Sequence, residues 1–267
     1  GQVGGCCGLE SAVGMAEPFY NYRVGTVVHA SRELGVYRTT PTLYLSNDYT
    51  GCSELCTLFL NPDFRGGGNG TLLSKSRFLF MADNAERFNE TVIAEMRGWS
   101  DEQGESPFWN ALGRKFFDME YSRADHLTAV STKAFIAELM PRYPVYATVL
   151  PEEAQRVIGK VHPNTEPALR MLKAEGFRYT GYIDIFDGGA AVDVPFQDIR
   201  AIKYSQVAEV SVGEVTSTHR LLVSNRGLAD YRCVLMDGQL TDDGKGIRIS
   251  PEASDALQLG DGDSARY

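Results

Sequence analysis

The residues whose types and spacing could do chemistry sit in one stretch, Arg65-Gly66-Gly67-Gly68-Asn69-Gly70. It lies between an apolar run at 54–60, closed by Asn61-Pro62, and an amphipathic stretch over 71–81. Proline removes the next amide donor, so the run reads as a strand that stops there. Leu72, Leu73, Phe80 and Met81 fall on or near one helical face. Glycines let backbone N–H groups turn toward an anion with no Cβ in the way. A helix opening next adds the partial positive charge of its N-terminus, and Arg65 adds a fixed cation. The chemistry this points to is phosphate binding at a strand-to-helix turn. Adjacent glycines are also compatible with a plain flexible turn. Neither G-x-G-x-x-G nor a terminal Gly-Lys-Ser/Thr is present in the loop, which sets aside the dinucleotide and nucleoside-triphosphate motifs.

Among other groups of chemical interest, His162 stands in VHPNTEP before an expected helix at 166–175. Read from the residues alone, capping that helix or packing on Pro163 outweighs catalysis. His29 follows an apolar strand and reads as structural, and His126 and His219 read as surface residues. Cys56 beside Leu58 could carry an acyl group, but no base is spaced to activate it. Glu54, Glu95, Glu138 and Asp184 are acidic residues within expected strands, open to a cationic substrate or to solvent alike.

The elements that must position these groups come from an ordinary globular composition. The chain has 267 residues, 43% hydrophobic and 23% charged, enough for a large core. A net charge of −9 argues against a nucleic-acid backbone as partner. No apolar run reaches membrane-spanning length and no signal peptide is visible, so no membrane partner is expected. Five cysteines, an odd number without metal-knuckle spacing, read as reduced thiols of a cytoplasmic protein with no metal site.

Strands are expected at 19–29, 41–47, 54–60, 90–98, 133–139 and 177–186, with a short turn or helix at 31–37. Ser106-Pro107 signals a helix start leading into 108–117, and helices are expected at 152–159 and 166–175, the last ended by Gly176. The expected fold class is α/β, an α+β mixed sheet. The order suggests a first unit at 1–130 that carries the cradle and a similar second unit at 131–210. At 211–267, short strands (220–223, 231–236, 247–249) and a helix at 251–257 suggest a small β-rich appendage without chemistry of its own.

Arg65, Gly68 and Gly70 fill the fixed positions of R/Q-x-x-G-x-G and so resemble the acyl-CoA-binding signature of the GNAT superfamily. Leu58-Phe59-Leu60 resembles the strand segment before it. Asn164, Ala168, Leu172 and Gly176-Phe177 resemble the late helix-to-strand element of such domains, as does 106–117. Longer strings narrow the resemblance: YNYRVGTVVHAS (20–31), TLYLSND (42–48), SPFWNALGRKFF (106–117), VIGKVHPNTEPA (157–168) and EGFRY…YIDIFDGG (175–189). Together they closely resemble the arginine N-succinyltransferase family, including its paralogous subunits that accept arginine or ornithine, over about residues 1–210.

The resemblance implies a duplicated GNAT-like fold and succinyl transfer from succinyl-CoA, as co-substrate rather than resident cofactor, to the α-amine of L-arginine or ornithine. It implies a homo-oligomer or a hetero-oligomer with a paralogous subunit. Leu58 matches a residue that contacts succinyl-CoA, and His162 matches the proton donor. With Phe59, Leu60, Arg65, Gly66, Gly68, Asn69 and Gly70, these are the expected site residues. A complete domain of this class opens with a strand, two helices and another strand, so the reading expects an N-terminal portion to precede residue 1. The rival readings are a non-catalytic subunit paired with an active paralogue, and an acyltransferase for another donor or amine.

Overall fold

The computed structural model describes residues 2–130, 138–216 and 219–267. Eight strands form one sheet: β1 (Gly5–Glu10), β2 (Asn21–Ser31), β3 (Val36–Ser46), β4 (Ser53–Leu60), β5 (Thr91–Glu95), β6 (Val145–Tyr146), β7 (Arg178–Ile183) and β8 (Ala190–Pro195). Their spatial order is β1-β4-β5-β8-β7-β2-β3-β6. Every neighbouring pair is antiparallel except β4 and β5. Those two run parallel and pair only at Ser53–Val92 and Glu54–Ile93, then part.

Helices are α1 (Asn69–Asp83), α2 (Pro107–Ala111), α3 (Arg114–Phe117), α4 (Tyr121–Val130), α5 (Glu152–Val157), α6 (Glu166–Ala174), α7 (Arg200–Tyr204) and α8 (Pro251–Leu257). Phe78 and Met81 of α1 and Leu169 and Leu172 of α6 bury against Val92, Ala94 and Val192 of the sheet. A second cluster centres on Phe108 and Trp109, packed on Tyr22, Leu43 and Ile183. Burial of such side chains, each contributing about 1.5–3 kcal/mol, fixes α1 and α6 on the sheet.

The sheet cuts across the expected boundary at 130/131. Strands β7 and β8, from the stretch at 131–210, sit between β5 and β2, from the stretch at 1–130. A division at 130/131 therefore does not divide the sheet. The expected helix at 108–117 is broken into α2 and α3 at Leu112, whose φ of −121° and ψ of −74° leave the helical region. Ser106 caps α2 as expected, its Oγ accepting from Trp109 N at 3.3 Å. The segment at 31–37 is a turn joining β2 and β3. Strand β8 is additional to the expected strands. Most of the strand expected at 133–139 lies outside the described residues.

Residues 207–267 form a separate closed barrel of β9 (Val207–Val212), β10 (His219–Ser224), β11 (Cys233–Leu240), β12 (Gly246–Ile249) and β13 (Ser264–Arg266). Val210, Val223, Ile247, Ile249 and Leu257 fill it. Strand β9 belongs to this barrel, so it begins four residues ahead of the boundary expected at 211. The barrel packs on α1. Asp83 pairs with Arg226 at 2.8 Å and Arg266 at 2.9 Å, and Tyr231 Oη donates to Ser76 O at 2.6 Å.

Candidate active site

Strand β4 carries a bulge where it leaves β5. Thr57 and Leu58 together oppose the single residue Cys7 of β1, and Thr57 takes φ +48°, a left-handed conformation that β-branched residues rarely adopt. The buried Arg77 of α1 braces the bulge, its Nη1 donating to Cys56 O at 3.4 Å and its Nε to Ser74 O at 3.1 Å. Beyond Glu54 the edge of β4 that faces β5 has no ladder partner among the described residues. Leu58 and Phe59 are correspondingly exposed. A strand edge of this kind can hydrogen-bond an extended ligand through its backbone.

The glycine turn follows. Gly66, Gly67 and Gly68 have φ of +110°, +59° and +92°, a run that only glycine adopts without strain. Asn69 Nδ2 donates to Phe64 O at 2.9 Å and Asn69 N to Gly66 O at 3.0 Å, which fix the turn against the start of α1. The first-turn amides of Gly70 and Thr71 point out of the helix end, as in any helix. Leu58–Leu60, Arg65, Gly66, Gly70 and Leu73 face Pro163, Asn164, Pro167, Ala168 and Met171 across a cavity of about 480 Å³. The structure thus gathers the expected Leu58, Phe59, Leu60, Arg65, Gly66 and Gly70 around one space. Gly68 stands apart: a Cβ there would meet Leu235 Cδ2 of the barrel at 2.4 Å. The barrel also reaches the turn through Arg220, whose Nη2 donates to Gly67 O at 3.2 Å. This contact was absent from the sequence reading, since nothing in the pattern of β10 or β11 announces it.

His162 does cap, but it caps the short turn at 163–165 rather than α6: its Nδ1 accepts from Asn164 N at 3.1 Å. That bond leaves the ring proton on Nε2. Desolvation, with the Arg97 charge nearby, pulls the imidazole below the usual histidine range, so the neutral ring dominates at neutral pH. His162 N donates to Arg97 O at 2.8 Å, and Gly98 bridges Val161.

Arg97 lines a second cavity, of about 560 Å³, together with Glu95, Tyr121, Asp184 and Asp187. His162 itself lines neither cavity: Pro163 and Asn164, which follow it, line the first, and Arg97, whose carbonyl accepts from its amide, lines the second. Asp187 takes amide protons from Gly98 and Gly189 and the Tyr121 hydroxyl. Asp184 accepts from the amides of Phe186 and Asp187. Desolvation and the Asp187 charge raise the Asp184 carboxyl well above the usual carboxylate range. Of the acidic strand residues picked out in the sequence, Glu95 and Asp184 line this cavity, while Glu138 is exposed. Burial pushes the Cys56 thiol up, which argues against a covalent acyl-cysteine. Among the described residues, no cluster of three or more His, Cys, Asp or Glu side chains could hold a metal ion.

A model of the family described as arginine N-succinyltransferase beta subunit matches residues 1–201, and one for the C-terminal domain of that subunit matches 206–267. The chain belongs to the arginine N-succinyltransferase family. It is 53% identical over 268 residues to an arginine N-succinyltransferase of Citrobacter koseri, and 52% identical over 277 residues to that of Salmonella paratyphi B. In both cases the alignment covers 100% of this chain and 77% of the relative. The solved arginine/ornithine succinyltransferase subunit AI from Pseudomonas aeruginosa is similar with a TM-score of 0.90 and 40% identity, over 100% of this chain and 77% of that one.

Proposed function

We propose that the chain is an enzyme that transfers the succinyl group of succinyl-CoA to the α-amine of L-arginine. Family membership supports the reading, and one observation carries its chemistry: the parting of β4 from β5 beside a glycine turn at a helix N-terminus. We read residues 1–201 as a single GNAT-like unit, not two, because β7 and β8 complete the sheet that bears the cradle. The pyrophosphate of succinyl-CoA lies on the turn from Arg65 to Gly70, where open amides and the helix end meet a negative charge. The pantetheine arm runs along the open edge of β4 past Leu58, Phe59 and Leu60.

The amine attacks the thioester carbon, the carbon–sulfur bond breaks, and the proton that the adduct nitrogen carries in excess passes to the leaving sulfur. The Nε2–H of His162 hydrogen-bonds the developing thiolate and so holds it for that proton. Holding amine and thioester together supplies up to roughly 7–11 kcal/mol of the barrier, so little covalent machinery is required. The unpaired cysteines agree with a cytoplasmic enzyme. The solved Pseudomonas aeruginosa protein is a subunit, which agrees with assembly into an oligomer, of like or paralogous chains.

Thiol release measured over a panel of acyl-CoAs and amino acids tests the reading. Succinyl-CoA with arginine should be the pair turned over fastest. Release with another acyl donor or another amine in preference would point to a different transferase, and binding without release would point to a non-catalytic subunit.

A further inference from the structure

We propose that Arg97 clamps a substrate carboxylate beside His162, so that the cavity it lines selects a molecule carrying one. The proposal rests on the function proposed above, whose two substrates each bring a carboxylate: the far end of the succinyl group and the α-carboxylate of arginine. A carboxylate leaving water for a protein cavity needs a cation to meet it. Among the described residues, Arg65 and Arg97 are the only cationic side chains that line the two cavities. Arg65 opens the glycine turn, where the pyrophosphate is assigned, which leaves Arg97 for a carboxylate.

The guanidinium of Arg97 is open to a ligand. The residue is exposed, and among the described residues it forms no ion pair, although three acidic residues line the same cavity. Those acids are engaged elsewhere. Glu95 accepts from Asn21 Nδ2, Asp187 from the amides of Gly98 and Gly189 and the Tyr121 hydroxyl, and Asp184 from the amides of Phe186 and Asp187. Without a cation, such a wall would repel an anionic substrate. The guanidinium is also held. Its Nη2 donates at 3.1 Å to the hydroxyl of Ser100, a buried residue, and its other donors remain for the two parallel bonds that a carboxylate takes from an arginine fork. Its place is beside the reacting centre: Arg97 O accepts from His162 N at 2.8 Å, and the Arg97 charge acts on the imidazole. Both carboxylates can come there. One sits on the carbon that bears the attacking amine, and the other ends a short chain from the thioester carbon.

Neutral counterparts tell the two sources apart and separate the clamp from a structural role. Butyryl-CoA replaces the succinyl carboxylate by a methyl group, and L-argininamide replaces the α-carboxylate by an amide. Each is assayed as substrate or as competitive inhibitor. Arg97→Gln should raise KM about 10- to 100-fold for the substrate whose carboxylate it holds. The constant for that substrate's neutral counterpart should move by less than about threefold. A selective loss for succinyl-CoA assigns the succinyl carboxylate, and a selective loss for arginine assigns the α-carboxylate. Equal losses for charged and neutral partners, or no loss for either substrate, would overturn the proposal. Should Arg97→Gln not fold, Ser100→Ala frees the guanidinium and should raise the same KM by about 3- to 10-fold, again sparing the neutral counterpart; an equal shift, or none, overturns the clamp. If the unsubstituted chain fails to release thiol with succinyl-CoA and arginine, the proposed function itself fails, which is a distinct result.

Discussion

Gly68 is held small by the barrel, and the consequence can be measured. Its φ of +92° penalises any side chain, by about 1–2 kcal/mol for an alanine. An added Cβ would also stand 2.4 Å from Leu235 Cδ2, a distance that forces a shift; overpacking of this kind costs about 1–3 kcal/mol. Gly68→Ala should therefore lower unfolding free energy by about 2–5 kcal/mol. Gly67→Ala serves as the control. It has φ +59° but open space around the new Cβ, so it should lose only the conformational part, about 1–2 kcal/mol. Leu235→Ala removes the colliding methyl, so the double variant Gly68→Ala/Leu235→Ala should be more stable than the two single losses predict, by about 1 kcal/mol or more. Denaturant unfolding of the four species closes the cycle. Additive losses would refute the packing argument and return Gly68 to the ligand alone. The same geometry makes Gly68→Val an unclean probe of acyl-CoA binding, because it injures the barrel contact first.

Three further outcomes are expected. His162→Ala should lower kcat by about 10²- to 10⁴-fold with little change in KM for succinyl-CoA, and the loss should shrink with an acyl donor whose leaving thiol is more acidic; steady-state kinetics with both donors checks it, and near-normal kcat would leave His162 as a cap alone. Asp184 is raised in the folded chain, so the fold binds more protons there than the unfolded chain does, and the stability this group contributes is lost as pH climbs above the ordinary carboxylate range. Asp184→Asn should accordingly raise melting temperature at neutral pH, with the gain fading toward pH 4; a constant difference across that span contradicts the assignment. Asp83→Asn strands Arg266 and Arg226 and should cost about 2–4 kcal/mol by denaturant titration, the lower part of the range for a broken buried pair because Arg226 keeps contact with solvent.

The glycine turn was legible because its cause is local. Three adjacent glycines between a proline-closed strand and an amphipathic run can only turn, and all three are left-handed in the structure. Ser106-Pro107 and Gly176 were legible for the same reason, as cap and stop signals read from neighbours in sequence. What was not legible is long-range. The place of β8 beside β5, with β7 next to it, depends on pairing across about a hundred residues, which a local reading of strand and helix order does not reach. The barrel's hold on Gly67 and Gly68 depends on Arg220 and Leu235, which carry no motif. The resemblance pointed to His162, whereas the residues alone pointed to a cap; the cap is observed, and it fixes the tautomer that the proposed chemistry uses.

The most direct test is a crystal structure of the chain with CoA and arginine bound together. The account predicts the pyrophosphate on the turn at 65–70, the pantetheine arm along the open edge of β4, and the α-amine of arginine beside the thioester position. A CoA molecule bound away from the glycine turn, or arginine with its α-amine remote from that position, would contradict it.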